Sequence, residues 1–373
     1  MLFQAPQGET TERMLVAPAH ENPEEVDDEN LPMATVVIPL NAYTRAHAGS
    51  SAGGSAAGSY AGGGFAGGSA GETKEESGCS RAVVLSSDEA SLMEIIKLAK
   101  EENDCKGVVD AMRAGRSSKV VLGKGLEAVA SLCENRDDRA EAHRVMFSKT
   151  LGGIPLLLEV MREHRRSEEI ARVSFLAVWS LTRNVDIQRI VGESGGIPLL
   201  VEMLEEHGER NAEVAKNGLI ALLNLAGNAD NKKSIAEAGG IEMILSVMDV
   251  HGASNAGVAE QGCDALMSLA CNDDNQKRIA EASGIEIILS VMKVHGASNA
   301  GVAENGCQAL WNLIADAPNT KIIGETGSIN ADNKRKILAA NGVSMVERMK
   351  STWASNEIVQ EMADGALGIL KRY

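Results

Sequence analysis

Aromatic side chains are scarce in this sequence: three Trp, three Tyr and four Phe in 373 residues. That is little material for one deep core, and it suits small helical units packed with Leu, Ile, Val, Met and Ala. Positive charge is also in deficit, with 36 Lys and Arg against 52 Asp and Glu and a formal net charge of −16. Phosphate binding needs a basic face, so nucleic acid and anionic membrane surfaces are excluded as general partners. The six cysteines, Cys79, Cys105, Cys133, Cys263, Cys271 and Cys307, form no C-x-x-C pair. Zinc ribbons and thioredoxin-like redox motifs are therefore not indicated. No N-x-[ST] sequon is present. The first residues lack a basic stretch followed by an apolar one, so no signal peptide is read there. Leu2 excludes N-myristoylation. No apolar run is long enough to span a bilayer. The early acids (Glu21, Glu24, Glu25, Asp27, Asp28, Glu29) argue against a mitochondrial transit peptide. The expectation is a soluble chain in a reducing compartment, the cytoplasm, with the nucleus left open.

Two unlike stretches follow one another. Residues 1–85 have no helical periodicity, and 48–71 are almost wholly Gly, Ala and Ser. Such a stretch buries too little apolar surface to offset its chain entropy, so a disordered acidic and Gly/Ala/Ser-rich tail is expected, dispensable for folding. Within it, Leu31 to Leu40 reads as extended chain, either a docking motif or a plain linker fragment. From Ser86 the character changes. Ser86 and Ser87 precede Asp88 and Glu89, a helix-start signal, and Leu92, Ile95, Ile96 and Ala99 follow at helical spacing.

The sequence then repeats. Ser246–Glu260 reads SVMDVHGASNAGVAE and Ser290–Glu304 reads SVMKVHGASNAGVAE, 44 residues apart. Ile154, Ile197, Ile241 and Ile285 mark the same frame. A period of about 40–47 residues marks HEAT or armadillo arrays. Each unit parses into three helices. The first is short, as in Asp230–Ala238, and is closed by Gly239-Gly240. The second runs from Ile241 to about Val250, with an apolar stripe of Ile241, Ile244, Leu245 and Met248. The third covers about Asn255–Ala270.

These units resemble the armadillo-repeat family, whose third helix carries an A-L-x-N-L-A motif. Here it reads ALLNLA at Ala221–Ala226, ALMSLA at Ala265–Ala270 and ALWNLI at Ala309–Ile314, with weaker copies at Ala177–Thr182 and Ala128–Cys133. The family's N-x-x-N-x-x-x-I lead-in appears as Asn228/Asn231/Ile235, Asn272/Asn275/Ile279 and Asn330/Asn333/Ile337. The resemblance covers residues 86–373, in six units at about 86–134, 137–183, 184–227, 228–271, 272–315 and 330–373. It implies an all-α, right-handed α-solenoid whose first and last units are degenerate caps. Between units five and six the spacing carries 14 extra residues, placed at 316–329 and expected to form a protruding loop or short extra helix.

Motifs that look catalytic have simpler readings. Gly192-Glu193-Ser194-Gly195-Gly196 matches G-x-S-x-G, but that elbow needs a strand before it, and here it falls between two helices. Gly62-x-Gly64-x-x-Gly67 lies in the Gly/Ala/Ser tract without a βαβ unit. His164, His207, His251 and His295 recur ten residues after each starting isoleucine. Neighbouring units stack about 10 Å apart, so one histidine per unit cannot converge on a metal. They are expected to end the second helices and serve the carbonyl-rich C-terminus. Cys263 and Cys307 read as small buried hydrophobes. No catalytic residue, cofactor, metal or small-molecule ligand is expected.

The resemblance implies that third helices line a concave groove with the motif Asn facing it. With that Asn at zero and about 100° per residue, positions −4 and −8 share its side while the motif leucines point to the core. The zero positions are Ser180, Asn224, Ser268 and Asn312; the −4 positions are Leu176, Ile220, Asp264 and Gln308; the −8 positions are Arg172, Lys216, Glu260 and Glu304. Importin-α-like adaptors place Trp at −4, and none is there. Trp179 and Trp311 sit at −1 and are expected to pack between adjacent third helices. Along the groove the charge changes sign, from Lys124, Arg172, Arg183 and Lys216 to Glu260, Asp264, Glu304 and Glu361, unless these are ordinary solvated faces. The expected function is an adaptor or scaffold holding a partner protein's extended peptide or helix. The alternative is a structural component of a larger cytoskeletal or axonemal assembly using convex or end surfaces. An enzyme is a distant third.

Overall fold

A computed structural model of the chain describes residues 88–315 and 326–372. The tail, its Leu31–Leu40 segment, the glycine tract, Cys79 and residues 316–325 of the insertion lie outside the described residues. Among the described residues every regular element is helical. Eighteen α-helices among the described residues follow in sets of three, with a short first, intermediate second and longer third helix in the inner sets. The first set is α1 (Glu89–Glu101), α2 (Cys105–Ala114) and α3 (Lys119–Cys133). Next come α4 (Asp138–Val145), α5 (Gly153–Glu163) and α6 (Glu168–Leu181), then α7 (Val185–Glu193), α8 (Gly196–His207) and α9 (Ala212–Leu225). After them lie α10 (Ala229–Glu237), α11 (Gly240–His251) and α12 (Ala256–Leu269), then α13 (Asp273–Glu281), α14 (Gly284–His295) and α15 (Ala300–Ile314). The chain ends with α16 (Thr326–Ala339), α17 (Gly342–Thr352) and α18 (Glu357–Leu370). Residues 326–329 of the insertion thus belong to the start of α16.

Local chemistry sets these boundaries. Every third helix starts on a side chain that accepts a backbone N–H of its first turn: Ser118, Ser167, Asn211, Asn255, Asn299 and Asn356. Each such cap is worth about 1 kcal/mol. First and second helices are joined through one left-handed residue: Gly152 (φ 59°), Gly195 (76°), Gly239 (82°), Ser283 (64°) and Asn341 (62°). Glycine takes that conformation without a Cβ clash. The second helix then starts on a glycine packed against the first: a Cβ on Gly240 would lie 2.8 Å from the carbonyl oxygen of Ile235. The set containing α4 departs from this rhythm. Its first helix runs on into a π-helical turn, Met146–Thr150, that buries Phe147 completely.

Third helices pack in series, α3 on α6, α6 on α9, α9 on α12, α12 on α15 and α15 on α18. The second helices form a parallel series from α5 to α17. The motif residues face inward: Ala221, Leu222, Leu225, Ala265, Leu266, Leu269, Ala309, Leu310 and Leu313 are at most 1% exposed. One core runs from Leu92 to Leu370. Each set leaves an apolar face that only its neighbour covers, so stability comes from stacking. No helix among the described residues is long and apolar enough to cross a membrane.

Candidate functional site

The third-helix series presents one continuous row of part-exposed side chains. Arg172, Leu176, Lys216, Ile220, Asn224, Glu260, Asp264, Ser268, Gln308 and Asn312 are all half-buried, on the side opposite the motif leucines. Two expected members depart from the row. Ser180 is fully buried, and its Oγ donates 2.6 Å to the Leu176 carbonyl of its own helix. Glu304 is 9% exposed and engaged within the protein. A single-helix projection gives the direction of a side chain but not the cover that the next helix supplies.

The zero positions are tied between units. Nδ2 of Asn224 donates 3.0 Å to the Trp179 carbonyl, Nδ2 of Asn312 donates 3.0 Å to the Met267 carbonyl, and Ser268 Oγ donates to the Ala226 carbonyl. These acceptors lie at the C-terminal ends of the preceding third helices, where carbonyls have no intrahelical partner. Asn224 keeps one amide N–H and its carbonyl oxygen for a ligand, whereas Nδ2 of Asn312 also donates to Cys271 Sγ at 3.6 Å and leaves the carbonyl oxygen. Position −8 also reaches across. Lys216 lies under Gly257, and the Glu260 carboxylate lies under Gly301 and accepts from Nδ2 of Asn299, the cap of α15. A carboxylate at a helix N-terminus is favourably placed.

Between these polar residues runs an apolar strip at −1: Trp179, Leu223, Met267 and Trp311, each half-buried. Trp311 packs on the next third helix, where a Cβ on Gly365 would lie 2.7 Å from the indole. The Arg183 guanidinium lies 4.9 Å over the Trp179 ring. Burial holds the Arg183 pKa below the usual guanidinium value, with Arg136 and Arg144 adding to the effect. The Lys124 ammonium, 2.9 Å away, holds the Glu127 carboxyl low, and Arg172 acts in the same direction.

The second helices carry a separate ladder, and the histidine reading is corrected here. Nε2 of His207, His251 and His295 donates to the carbonyl of Arg165, Gly208 and Gly252 at 2.8, 2.9 and 2.8 Å. Each of these histidines ends its own second helix, as expected, but donates to the C-terminal end of the preceding unit's second helix rather than to its own. His164 Nε2 is buried without a partner. Trp353 takes the same place in the last set, its Nε1 donating 2.6 Å to the Gly296 carbonyl. Its offset of ten residues from Val343 matches that of each histidine from its isoleucine. In the first helices Asn231, Asn275 and Asn333 each donate to the end of the preceding third helix, at Leu225, Leu269 and Leu313. Arg144 stands at their position in α4, eight residues before the left-handed Gly152. Sequence reading missed it because Arg stands there in place of the motif Asn and Ser148 in place of the isoleucine four residues on.

Four cysteines, Cys105, Cys133, Cys263 and Cys307, are buried free thiols. Desolvation pushes Cys105, Cys133 and Cys307 up to about 12, and Cys263 is raised as well. Such thiols are inert hydrophobes at neutral pH. Cys271 is exposed at the end of α12. Ser194 caps the C-terminus of α7, between two helices.

No protein-family model matches the chain, and a comparison with curated proteins returns no match. Solved structures do match. One is the crystal structure of an engineered protein, 19% identical, with TM-score 0.58 over 72% of this chain and 96% of that one. Another comes from work on a conserved phosphorylation switch that controls the interaction between cadherin and beta-catenin. It is 16% identical, with TM-score 0.61 over 74% of this chain and 48% of that one. This chain therefore spans about half the length of that relative. Beta-catenin is an armadillo-repeat protein, and at these identities the likeness establishes a shared all-helical, armadillo-like repeat fold.

Proposed function

We propose that this protein is a non-catalytic adaptor or scaffold, a right-handed armadillo solenoid of six three-helix repeats that binds a partner protein along its third helices. The observation that carries the reading is the third-helix face, with Leu176, Trp179, Ile220, Leu223, Met267 and Trp311 half-exposed in sequence along it. An apolar strip with polar flanks suits an extended peptide or a helix laid across several units. The flanks change sign, from Lys124, Arg172 and Lys216 to Glu260, Asp264 and Glu361. Charge of this kind sets direction and association rate, while the apolar strip supplies most of the grip.

The test is affinity for a partner recovered from native cell extract, measured at low and high salt. Arg172→Glu/Lys216→Glu and Asp264→Lys/Glu361→Lys should each weaken binding at low salt by roughly three- to tenfold and matter less at high salt. If both doubly substituted proteins fold and bind like the parent at low salt, the face does not make the contact.

A further inference from the structure

The corner where α3 and α6 end collects three guanidinium groups. Arg144 is 3% exposed. Its Nε donates to the carbonyls of Cys133 and Ser180 at 3.1 and 2.9 Å, its Nη2 donates to Cys133 at 2.8 Å and to Asn135, and its Nη1 donates to Glu141 at 2.7 Å. Four of the five N–H donors of Arg144 are thus engaged. Arg144 pins the ends of two neighbouring third helices side by side and so brings Arg136 and Arg183, which follow those ends, near one another. Arg183 lies over Trp179, and among the described residues it has no hydrogen bond or ion pair. The Trp179 carbonyl is in turn held by Asn224, so the ring's backbone is fixed from the next unit. Glu134 offsets part of the positive field, while Arg136 and Arg144 act on Arg183 in the opposite sense. A chain of net charge −16 therefore carries one electropositive corner with a flat aromatic surface in it.

We infer that this corner receives an acidic linear segment of a partner protein: an Asp or Glu carboxylate against Arg183, with Arg136, itself engaged within the protein, adding positive charge beside it, and a neighbouring apolar side chain on Trp179. The inference rests on the proposed reading of the third-helix face and adds the chemistry of the partner. A guanidinium fork matches a carboxylate with two parallel hydrogen bonds, and its other face stays stacked on the indole. The far end of the same face carries Asp264 and Glu361, which would repel a long uniform polyanion. A short acidic stretch fits this distribution better than a nucleic acid strand.

The full chain is titrated with a fluorescein-labelled peptide of alternating Glu and Leu, with its Lys-for-Glu counterpart and with oligouridylate, by anisotropy at low salt. The Glu peptide should bind and quench Trp179. Arg136→Ala/Arg183→Ala should weaken it roughly tenfold, since each exposed pair contributes modestly. Arg183→Lys, which keeps the charge but loses the fork, should fall between the two, and binding of the Lys peptide should not change. Thermal melts check that the variants fold; both side chains lie outside the core. Equal affinity of parent and double variant for the Glu peptide overturns the corner, as does tighter binding of oligouridylate than of the peptide. Binding that ignores the arginine substitutions yet is lost in Leu176→Arg/Ile220→Arg overturns the corner alone and leaves the face standing. Failure of both peptides to bind overturns both.

Discussion

His251 and His164 occupy the same repeat position and are held differently. His251 donates across the unit boundary to Gly208, whereas His164 Nε2 is buried with no acceptor. Replacing His251 by Phe should cost about 1 kcal/mol, the net value of one hydrogen bond plus an orphaned carbonyl. His164→Phe should be close to neutral or stabilising, because it removes an unsatisfied buried nitrogen. Urea unfolding midpoints compare the two, and an equal loss in both would show that the ladder does not hold the units together. The recurrence of these histidines was legible from the ten-residue offset. Their acceptors were not, because an acceptor in another unit depends on a stacking offset that no sequence spacing states. The same limit applies at Ser180 and Glu304, where the helical period gave the direction and the neighbouring helix decided the burial.

Between helices, one backbone position separates the first from the second element of each unit. Gly152, Gly195 and Gly239 occupy it with positive φ, while Ser283 holds the same conformation at φ 64°. A left-handed conformation costs a residue with a Cβ about 1 kcal/mol. Ser283→Gly should therefore stabilise the protein by up to about 0.5 kcal/mol, after the added freedom of glycine in the unfolded chain is subtracted. A calorimetric melt reads this directly, and a lower melting temperature would mean that the serine is held by something other than backbone geometry. Helix identity and the third-helix start near Asn255 were legible because apolar stripes and helix-start residues are local signals. The first helix of the unit at 137–183 was only partly so. Its extra residues lie before Arg144, and an arginine in place of the motif asparagine hides the equivalence of Arg144 with Asn231 and Asn275.

Across the whole stack, the buried thiols link stability to pH. Cys105, Cys133 and Cys307 titrate near 12 in the fold against an ordinary value of 9.0, and Cys263 is raised too. Below about pH 9 these thiols are protonated both folded and unfolded, so they add no pH dependence. Above it the unfolded chain releases protons that the fold retains, and stability falls as pH rises toward 12. Urea midpoints taken upward from pH 8 should show this fall, and Cys263→Ala should reduce its slope by about 1.4 kcal/mol per pH unit. An unchanged slope would place water at that thiol. The array of third helices was legible from the repeat period and the motif, and so was the side of each helix that faces outward. What fills that face was not, because partner chemistry depends on residues from successive units meeting in space, as Trp179, Arg183 and Arg136 do. The central claim is that partner protein lies along the third helices. It is tested most directly by placing a photoreactive amino acid at Ile220 on that face and, separately, at Val185, which is 66% exposed at the start of a first helix. After illumination in native cell extract, the account predicts a discrete protein adduct at Ile220 and none at Val185; adducts at Val185 with none at Ile220 would contradict it.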